Sequence, residues 1–335
     1  MDAGQTMTLR TKTTLTATVL ATLLAVFALG PRPVLTGAAE PPPLPAQLRQ
    51  LETWLAQQEN GFGDITAGTE KSIVWHNPNS PGQTDLAILY IHGFSATRQE
   101  IAPVPQALGT YLNANVYLTR LPGHGRGFAP MGTATANDWA AETLAAWEVA
   151  KKLGRRVIVI STSTGSTLST WLMQQPGVQT QARAQIYVSP NFGVRKTGAG
   201  LLTMPWARQI IPLLLGPESG FEPRSETHAK YWTSRYPVAA LSQMQATVDW
   251  VAASDVGQIK VPTLFIYSNE DRAVDPARTD RVLADWGGYT ERMLIPGRPG
   301  ASNHVLVGDI VAPQNNESVL ARIKEFLANS SRNRQ

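Results

Sequence analysis

The chain has no cysteine in 335 residues. That excludes disulfides, thiolate metal sites, a cysteine nucleophile and the cysteine-linked lipid anchor of exported lipoproteins. Surplus charge of either sign is also scarce. Twenty-nine basic residues face 25 acidic ones, a net +4, and loss of the first 39 residues would take Arg10, Lys12, Arg32 and Asp2 and leave +2. A nucleic-acid binder normally carries a concentrated basic face, so nucleic acid is not an expected partner. Internal repeats and low-complexity tracts are absent after residue 46. What is present is apolar: 43% of residues, against 16% charged. That supplies a substantial core and rules out a wholly disordered or fibrous chain.

The one long charge-free run is Leu15–Leu29, 15 residues softened by threonines and preceded by Arg10 and Lys12. A basic flank, a short apolar stretch and then Gly37, Ala38 and Ala39 match an export signal with a small-residue cleavage site. A spanning helix needs about 20 apolar residues. Residues 1–39 therefore read as a signal peptide that leaves the protein periplasmic or secreted. The alternative is an uncleaved membrane anchor. Pro41, Pro42, Pro43 and Pro45 open a stiff spacer, and residues 40–69 are assigned to it and an N-terminal helix.

Downstream, short β-branched runs at Leu86–Ile91, Ala114–Leu118, Val157–Ser161, Ala184–Val188, Thr263–Tyr267 and Glu291–Ile295 read as strands. Several are apolar throughout, as parallel strands covered on both faces must be. Helical patterns lie between or after them: Asn137–Leu153 with Asn137 as N-cap and Trp139, Thr143, Trp147 and Ala150 on one face, Pro276–Trp286 capped by Asp275, and Ser318–Ala328. The expectation is an α/β fold with a mostly parallel, doubly covered sheet. Residues 70–191 and 256–330 form its core. Residues 192–255 break the rhythm, because Pro205 and Pro212 prevent a single long helix across Leu201–Leu215. They read as an inserted cap of short helices, or else as an ordinary extra helical layer. Met204, Trp206 and Ile210, with their apolar neighbours, either line a substrate site or touch lipid, or simply pack on the sheet.

Val157–Ile160 runs into Ser161-Thr162-Ser163-Thr164-Gly165 and then a helical pattern. A serine in a tight strand-to-helix turn stands above the sheet edge, and the next backbone N–H and the helix N-terminus favour developing negative charge beside it. Ser163 is the candidate nucleophile, with Ser161 and Ser166 as rival hydroxyls. Ser161 stands where the G-x-S-x-G pattern has its first glycine. The strand ending at Ile91 leads into His92-Gly93-Phe94-Ser95, a turn that can bring the Phe94 N–H to that of Thr164 as a pair of oxyanion donors. His92 is read as tying this loop through a ring hydrogen bond. For the orienting carboxylate Asp271 is favoured, while Asp275 suits a helix cap and Glu270 solvent. His304 follows Asp271 in the chain; His76, His124 and His228 precede it. A serine, then an acid, then a histidine is a workable order for general-base activation.

Ile91-His92-Gly93-Phe94, Thr119–Gly125 (TRLPGHG), Ser163-Thr164-Gly165, Asp271 and Ser302-Asn303-His304 together resemble the α/β-hydrolase superfamily over residues 70–330. Within it the chain is most similar to the carboxylesterase, monoacylglycerol lipase and lysophospholipase branch. The resemblance implies a Ser163–Asp271–His304 triad, oxyanion donors at Phe94 and Thr164, a cap between the sixth and seventh strands, and no metal or organic cofactor. The expected reaction is hydrolysis of a carboxylic ester, and the apolar residues of the cap point to an apolar acyl chain bound by Phe94, Met204, Trp206 and Ile210, or to transient membrane-surface contact. The same triad would serve amides, peptides, thioesters or acyl transfer. A non-catalytic binding protein is the rival of another class.

Overall fold

The computed structural model describes residues 9–37 and 40–332. Ala38 and Ala39, in the expected cleavage motif, lie outside the described residues. Helix α1 (Leu9–Ala28) is followed by an extended segment and then α2 (Leu51–Asn60). The sheet and its connections come next: β1 (Ser72–Val74), β2 (Thr84–Ile91), α3 (Val104–Leu112), β3 (Asn115–Leu118), α4 (Phe128–Thr133), α5 (Ala136–Leu153), β4 (Gly154–Thr162), α6 (Thr164–Met173), α7 (Val178–Gln181) and β5 (Ala182–Val188). A segment with α8 (Ala207–Leu215), β6 (Glu218–Gly220), α9 (Glu226–Tyr231), β7 (Arg235–Pro237) and α10 (Ala239–Ala253) intervenes before β8 (Thr263–Tyr267), α11 (Pro276–Ala284), β9 (Thr290–Leu294) and α12 (Asn316–Arg332). Among the described residues no helix is long and apolar enough to cross a membrane.

Seven strands form one sheet in the order β1-β3-β2-β4-β5-β8-β9, with β1 antiparallel to β3 and every other pair parallel. Side chains alternate between faces along a strand, and here both sets are buried. Leu89, Ile91, Val157, Val159, Tyr187 and Phe265 meet Trp139 and Trp147 of α5 and Trp171 of α6 on one side. Ile88, Tyr90, Ile158, Ile160, Ile186 and Leu264 meet Leu108 of α3 and Ile323 and Phe326 of α12 on the other. Two apolar layers explain why these strands read as continuous hydrophobic runs.

Several expectations need correction. The insertion falls between the fifth and sixth strands of the sheet, one place earlier than the resemblance implies, because only β1 precedes β2. The N-cap of α5 is Thr135, which accepts the Asp138 N–H at 3.1 Å while Asp138 Oδ2 accepts the Thr135 N–H at 2.8 Å. This reciprocal box satisfies two orphan donors, and Asn137 is left inside the helix. Pro205 ends the first turn of the insertion as expected. Pro212, by contrast, lies within α8. The closing helix runs Asn316–Arg332, longer at both ends than the apolar pattern indicates.

Arg120, just beyond β3, is almost fully buried and makes a bidentate pair with Glu59 of α2, both bonds at 2.8 Å, plus a bond to the His124 carbonyl at 3.1 Å. The pair fixes the Leu121–Gly125 loop against α2. Arg120→Met leaves the buried Glu59 carboxylate with only the Lys71 N–H bond, at 3.1 Å, and the more distant Lys71 charge, and the expected loss is about 3–5 kcal/mol. A lower denaturant midpoint at unchanged slope would show it; a midpoint within error of wild type would count against the pair.

Candidate active site

The C-terminal ends of β2 and β4 are in register, Ile91 beside Ser161. Beyond them the two chains press together. A Cβ on Gly165 would lie 2.3 Å from the Ile91 carbonyl oxygen, and one on Gly93 would lie 3.2 Å from Ser163 Cβ. Only glycine permits this approach, which sets the turn before α6 against the loop after β2. Ser163 takes φ 51°, ψ −117°, a strained backbone for a residue with a side chain. It is held there because its N–H donates to Val188 O at 3.0 Å and its carbonyl accepts from Ser166 at 2.9 Å and Asn191 at 3.2 Å. The departure at Ser161 is accommodated in the strand. Its buried hydroxyl donates to Ser166 Oγ at 3.2 Å, so both rival hydroxyls are occupied below the turn.

Ser163 Oγ lies 2.9 Å from His304 Nε2, and His304 Nδ1 lies 2.7 Å from Asp271 Oδ2. With the ring proton on Nδ1 facing the carboxylate, Nε2 accepts the serine hydroxyl proton. Asp271 Oδ1 is fixed by the N–H groups of Ala273 at 2.8 Å and Val274 at 3.0 Å. The His304 loop is fixed too: Ser189 Oγ donates to the His304 carbonyl, and Asn303, at φ 54°, accepts the Arg298 N–H at 2.8 Å. Asp275 caps α11. Glu270 is exposed but also accepts from Ser268 Oγ and the Gly297 N–H, both at 2.9 Å, which ties the acid loop to the histidine loop.

Neither the Phe94 nor the Thr164 N–H has a partner within the described residues. Both flank Ser163, where the two glycines bring their loops together. His92 ties the first loop as expected: Leu121 N–H donates to its Nε2 at 3.0 Å, and its Nδ1 donates to the Gly93 carbonyl at 2.9 Å. Burial lowers this ring to about 4, so it stays neutral and keeps both bonds.

The cavity over Ser163 measures about 300 Å³, and its walls include Phe94, Phe221, His228 and Trp232. His228 stacks on Phe221 and meets Trp232 edge-on, with ring centroids 5.5 and 4.5 Å away. Met204, Trp206 and Ile210 are not among the lining residues. Met204 packs instead with Leu202, Ala207, Ile211 and Val238, and the Trp206 indole covers Gly30. Apolar composition indicates that these side chains cover something but not which surface they cover.

Glu100 was invisible in the sequence, a lone carboxylate in a loop with no periodicity around it. It is buried in the wall of the same cavity, where Oε2 accepts from the Gly93 N–H and the Tyr90 hydroxyl, both at 2.8 Å. Burial pushes it up to about 6, although those bonds and the His304 ring favour its charged form. For His304, burial disfavours the imidazolium, yet Asp271 and then Glu100 outweigh it and raise the ring above 6.5. Among the described residues no three His, Asp or Glu side chains converge to hold a metal. The arrangement as a whole can activate one hydroxyl and stabilise an oxyanion beside it.

A profile described as the Alpha/beta hydrolase family matches residues 88–309. No curated protein matches the sequence. Among solved structures the chain is similar to a metagenome-derived lipolytic enzyme of the LipS and LipT pair (21% identity, TM-score 0.62, covering 79% of this chain and 99% of that one). It is also similar to the Paleococcus ferrophilus monoacylglycerol lipase (13%, 0.57, 78% and 98%) and to a soluble variant of the Saccharomyces cerevisiae monoglyceride lipase (14%, 0.57, 78% and 92%).

Two outcomes follow for labelling of Ser163 by a fluorophosphonate. The base works only when neutral, so the labelling rate should fall as pH drops through a midpoint above 6.5. Glu100→Gln removes a negative neighbour that favours the imidazolium, and should move that midpoint to lower pH; an upward or absent shift contradicts the coupling. Gly165→Ala drives its Cβ into the Ile91 carbonyl, displaces the turn that carries the Thr164 N–H, and should slow labelling by about 10²–10³-fold, the cost of one oxyanion donor. Unchanged labelling would remove the close approach from the account.

Proposed function

Since this chain belongs to the alpha/beta hydrolase family, we propose that it hydrolyses carboxylic esters through an acyl-enzyme on Ser163. The observation that carries the reading is the unbroken hydrogen-bond chain from Ser163 Oγ through His304 to Asp271, set beside two unpartnered backbone donors.

In this reading His304 Nε2 takes the Ser163 proton as Oγ bonds to the ester carbonyl carbon. Negative charge gathers on the carbonyl oxygen, which the Phe94 and Thr164 N–H groups receive. Asp271 holds the Nδ1 tautomer and stabilises the imidazolium without taking its proton. Collapse breaks the bond to the leaving alkoxy group, which receives the proton from Nε2. Water then enters, gives its proton to His304, and attacks the acyl carbon; the second collapse returns the proton to Ser163 and frees the acid.

The acyl chain in this proposal is apolar and of modest length. The aromatic wall of Phe94, Phe221 and Trp232 favours an apolar group, and about 300 Å³ is at the small end of ligand cavities. Likeness to monoacylglycerol lipases supports monoacylglycerol or lysolipid esters beside simple ones. Phe221 and Trp232 take the part that the sequence assigned to Met204, Trp206 and Ile210.

Ser163→Ala should lower turnover by about 10⁶-fold; near-full activity would overturn the assignment. Across p-nitrophenyl esters, kcat/KM should rise from acetate to butyrate or octanoate, whereas a flat or falling profile contradicts an acyl slot.

A further inference from the structure

Residues 30–37 precede the expected cleavage point after residue 39, yet they are fitted to the body. Leu35 is only 7% exposed and belongs to the main core. The Thr36 N–H and hydroxyl both donate to Asn137 Oδ1, at 2.9 and 3.0 Å, and Asn137 Nδ2 donates to the Val34 carbonyl at 3.0 Å. This is what occupies the asparagine that does not cap α5. Trp206 N–H donates to the Pro31 carbonyl at 2.8 Å and its indole N–H to the Val26 carbonyl at 3.2 Å. The indole lies so close to Gly30 that a Cβ there would fall 2.0 Å from Nε1. Trp206 holds φ 61°, ψ 17°, a left-handed backbone that a bulky residue keeps only where its surroundings fix it. A segment discarded before folding has no reason to match Asn137 and Trp206 in this way.

Trp206 is the N-cap of α8, so the end of α1 is pinned where α8 begins. The nine residues of α8 rise about 1.5 Å each, which places its far end about 14 Å from that pin. That end carries Leu213, Leu214 and Leu215, 85%, 66% and 55% exposed. Leu15, Val19, Leu20, Leu23, Leu24 and Phe27 of α1 are exposed as well and fall within one half of its circumference at 3.6 residues per turn. Exposed apolar side chains on two elements joined at that pin mark an interaction site. The surrounding charge selects the partner. Residues 14–37 and 194–216 carry the exposed Arg32, Lys196 and Arg208 and contain no acidic residue.

We propose that residues 30–37 are a permanent strap, so that α1 is retained and, together with Leu213–Leu215, seats the molecule on an anionic phospholipid bilayer. Apolar side chains enter the acyl region and the basic residues meet the headgroups. An apolar cavity of about 360 Å³ opens under the same rim, bounded by Leu201, Leu202, Ile211, Leu214 and Leu215. This attachment does not depend on the chemistry at Ser163.

The test uses the full chain expressed in a bacterial host, with binding read by sedimentation rather than turnover. The purified folded protein should retain residues through Gly37 by intact mass; a mass that begins at or after Ala38 overturns the proposal. It should co-sediment with phosphatidylcholine vesicles containing phosphatidylglycerol more strongly than with phosphatidylcholine alone. The exposed triple variant Leu213→Ser, Leu214→Ser, Leu215→Ser and the exposed pair Lys196→Glu, Arg208→Glu should each weaken that binding by about tenfold, with unchanged circular dichroism. Wild-type binding by both variants, or no preference for the anionic vesicles, refutes it.

Discussion

The contact between the loop after β2 and the turn before α6 is the constraint on which the site depends. Adjacent parallel strands hold their backbones about 4.8 Å apart, and the pairing of Ile91 with Ser161 carries that spacing to the edge of the sheet. Past the edge, the chains close further only because Gly93 and Gly165 have no side chains to meet Ser163 Cβ and the Ile91 carbonyl. The consequence is chemical. Two N–H groups and one hydroxyl arrive in a small volume by main-chain geometry alone, so the proposed oxyanion site needs no flexible side chain as donor.

That geometry carries strain, concentrated around one point. Ser95, Ser163, Ser189 and Asn303 all have positive φ, between 47° and 63°, at a cost of order 1–3 kcal/mol each. Each is held by partners outside its own loop. Ser95 accepts the Thr233 N–H at 2.7 Å, Ser163 donates to Val188, and Ser189 donates to Ile266 at 2.7 Å. Asn303 Nδ2 donates to the Glu270 carbonyl in the loop after β8, at 3.4 Å. The restraining groups come from strands β5 and β8 and from the insertion, so the site is rigid only in the assembled fold.

This distribution explains what was legible in the sequence. The strands could be read because double coverage writes them as apolar runs, and β8 was placed without error at Thr263–Tyr267. The order of Ser163, Asp271 and His304 could be read because the first two follow such runs and His304 is the only histidine after Asp271. The walls could not. Phe221, His228 and Trp232 sit in short elements whose orientation depends on hydrogen bonds from Thr233 to Ser95 and from Thr97 to the Tyr231 carbonyl. Glu100 acts through a fold-dependent bond to Gly93 that no local pattern announces. Met204, Trp206 and Ile210 were drawn to the site by composition, whereas the left-handed turn at Trp206 directs that ring to Gly30 instead.

The insertion consequently has two attachments with different tasks. Near residue 232 it is bonded to the loop that carries the Phe94 N–H; near residue 206 it is bonded to the segment that follows α1. Between them lies the short ribbon of β6 and β7, paired at Glu218–Pro237, Ser219–Tyr236 and Gly220–Arg235. Leu215 and Phe221 are the last exposed leucine and the first aromatic wall residue on either side of β6. Even fully extended, the chain between them spans only about 20 Å. If the leucines rest on a bilayer, an ester drawn from it has that distance to cover before its carbonyl meets Ser163. Past Phe221, Arg224 joins the cavity wall, its guanidinium bonded to Ser302 Oγ at 3.1 Å.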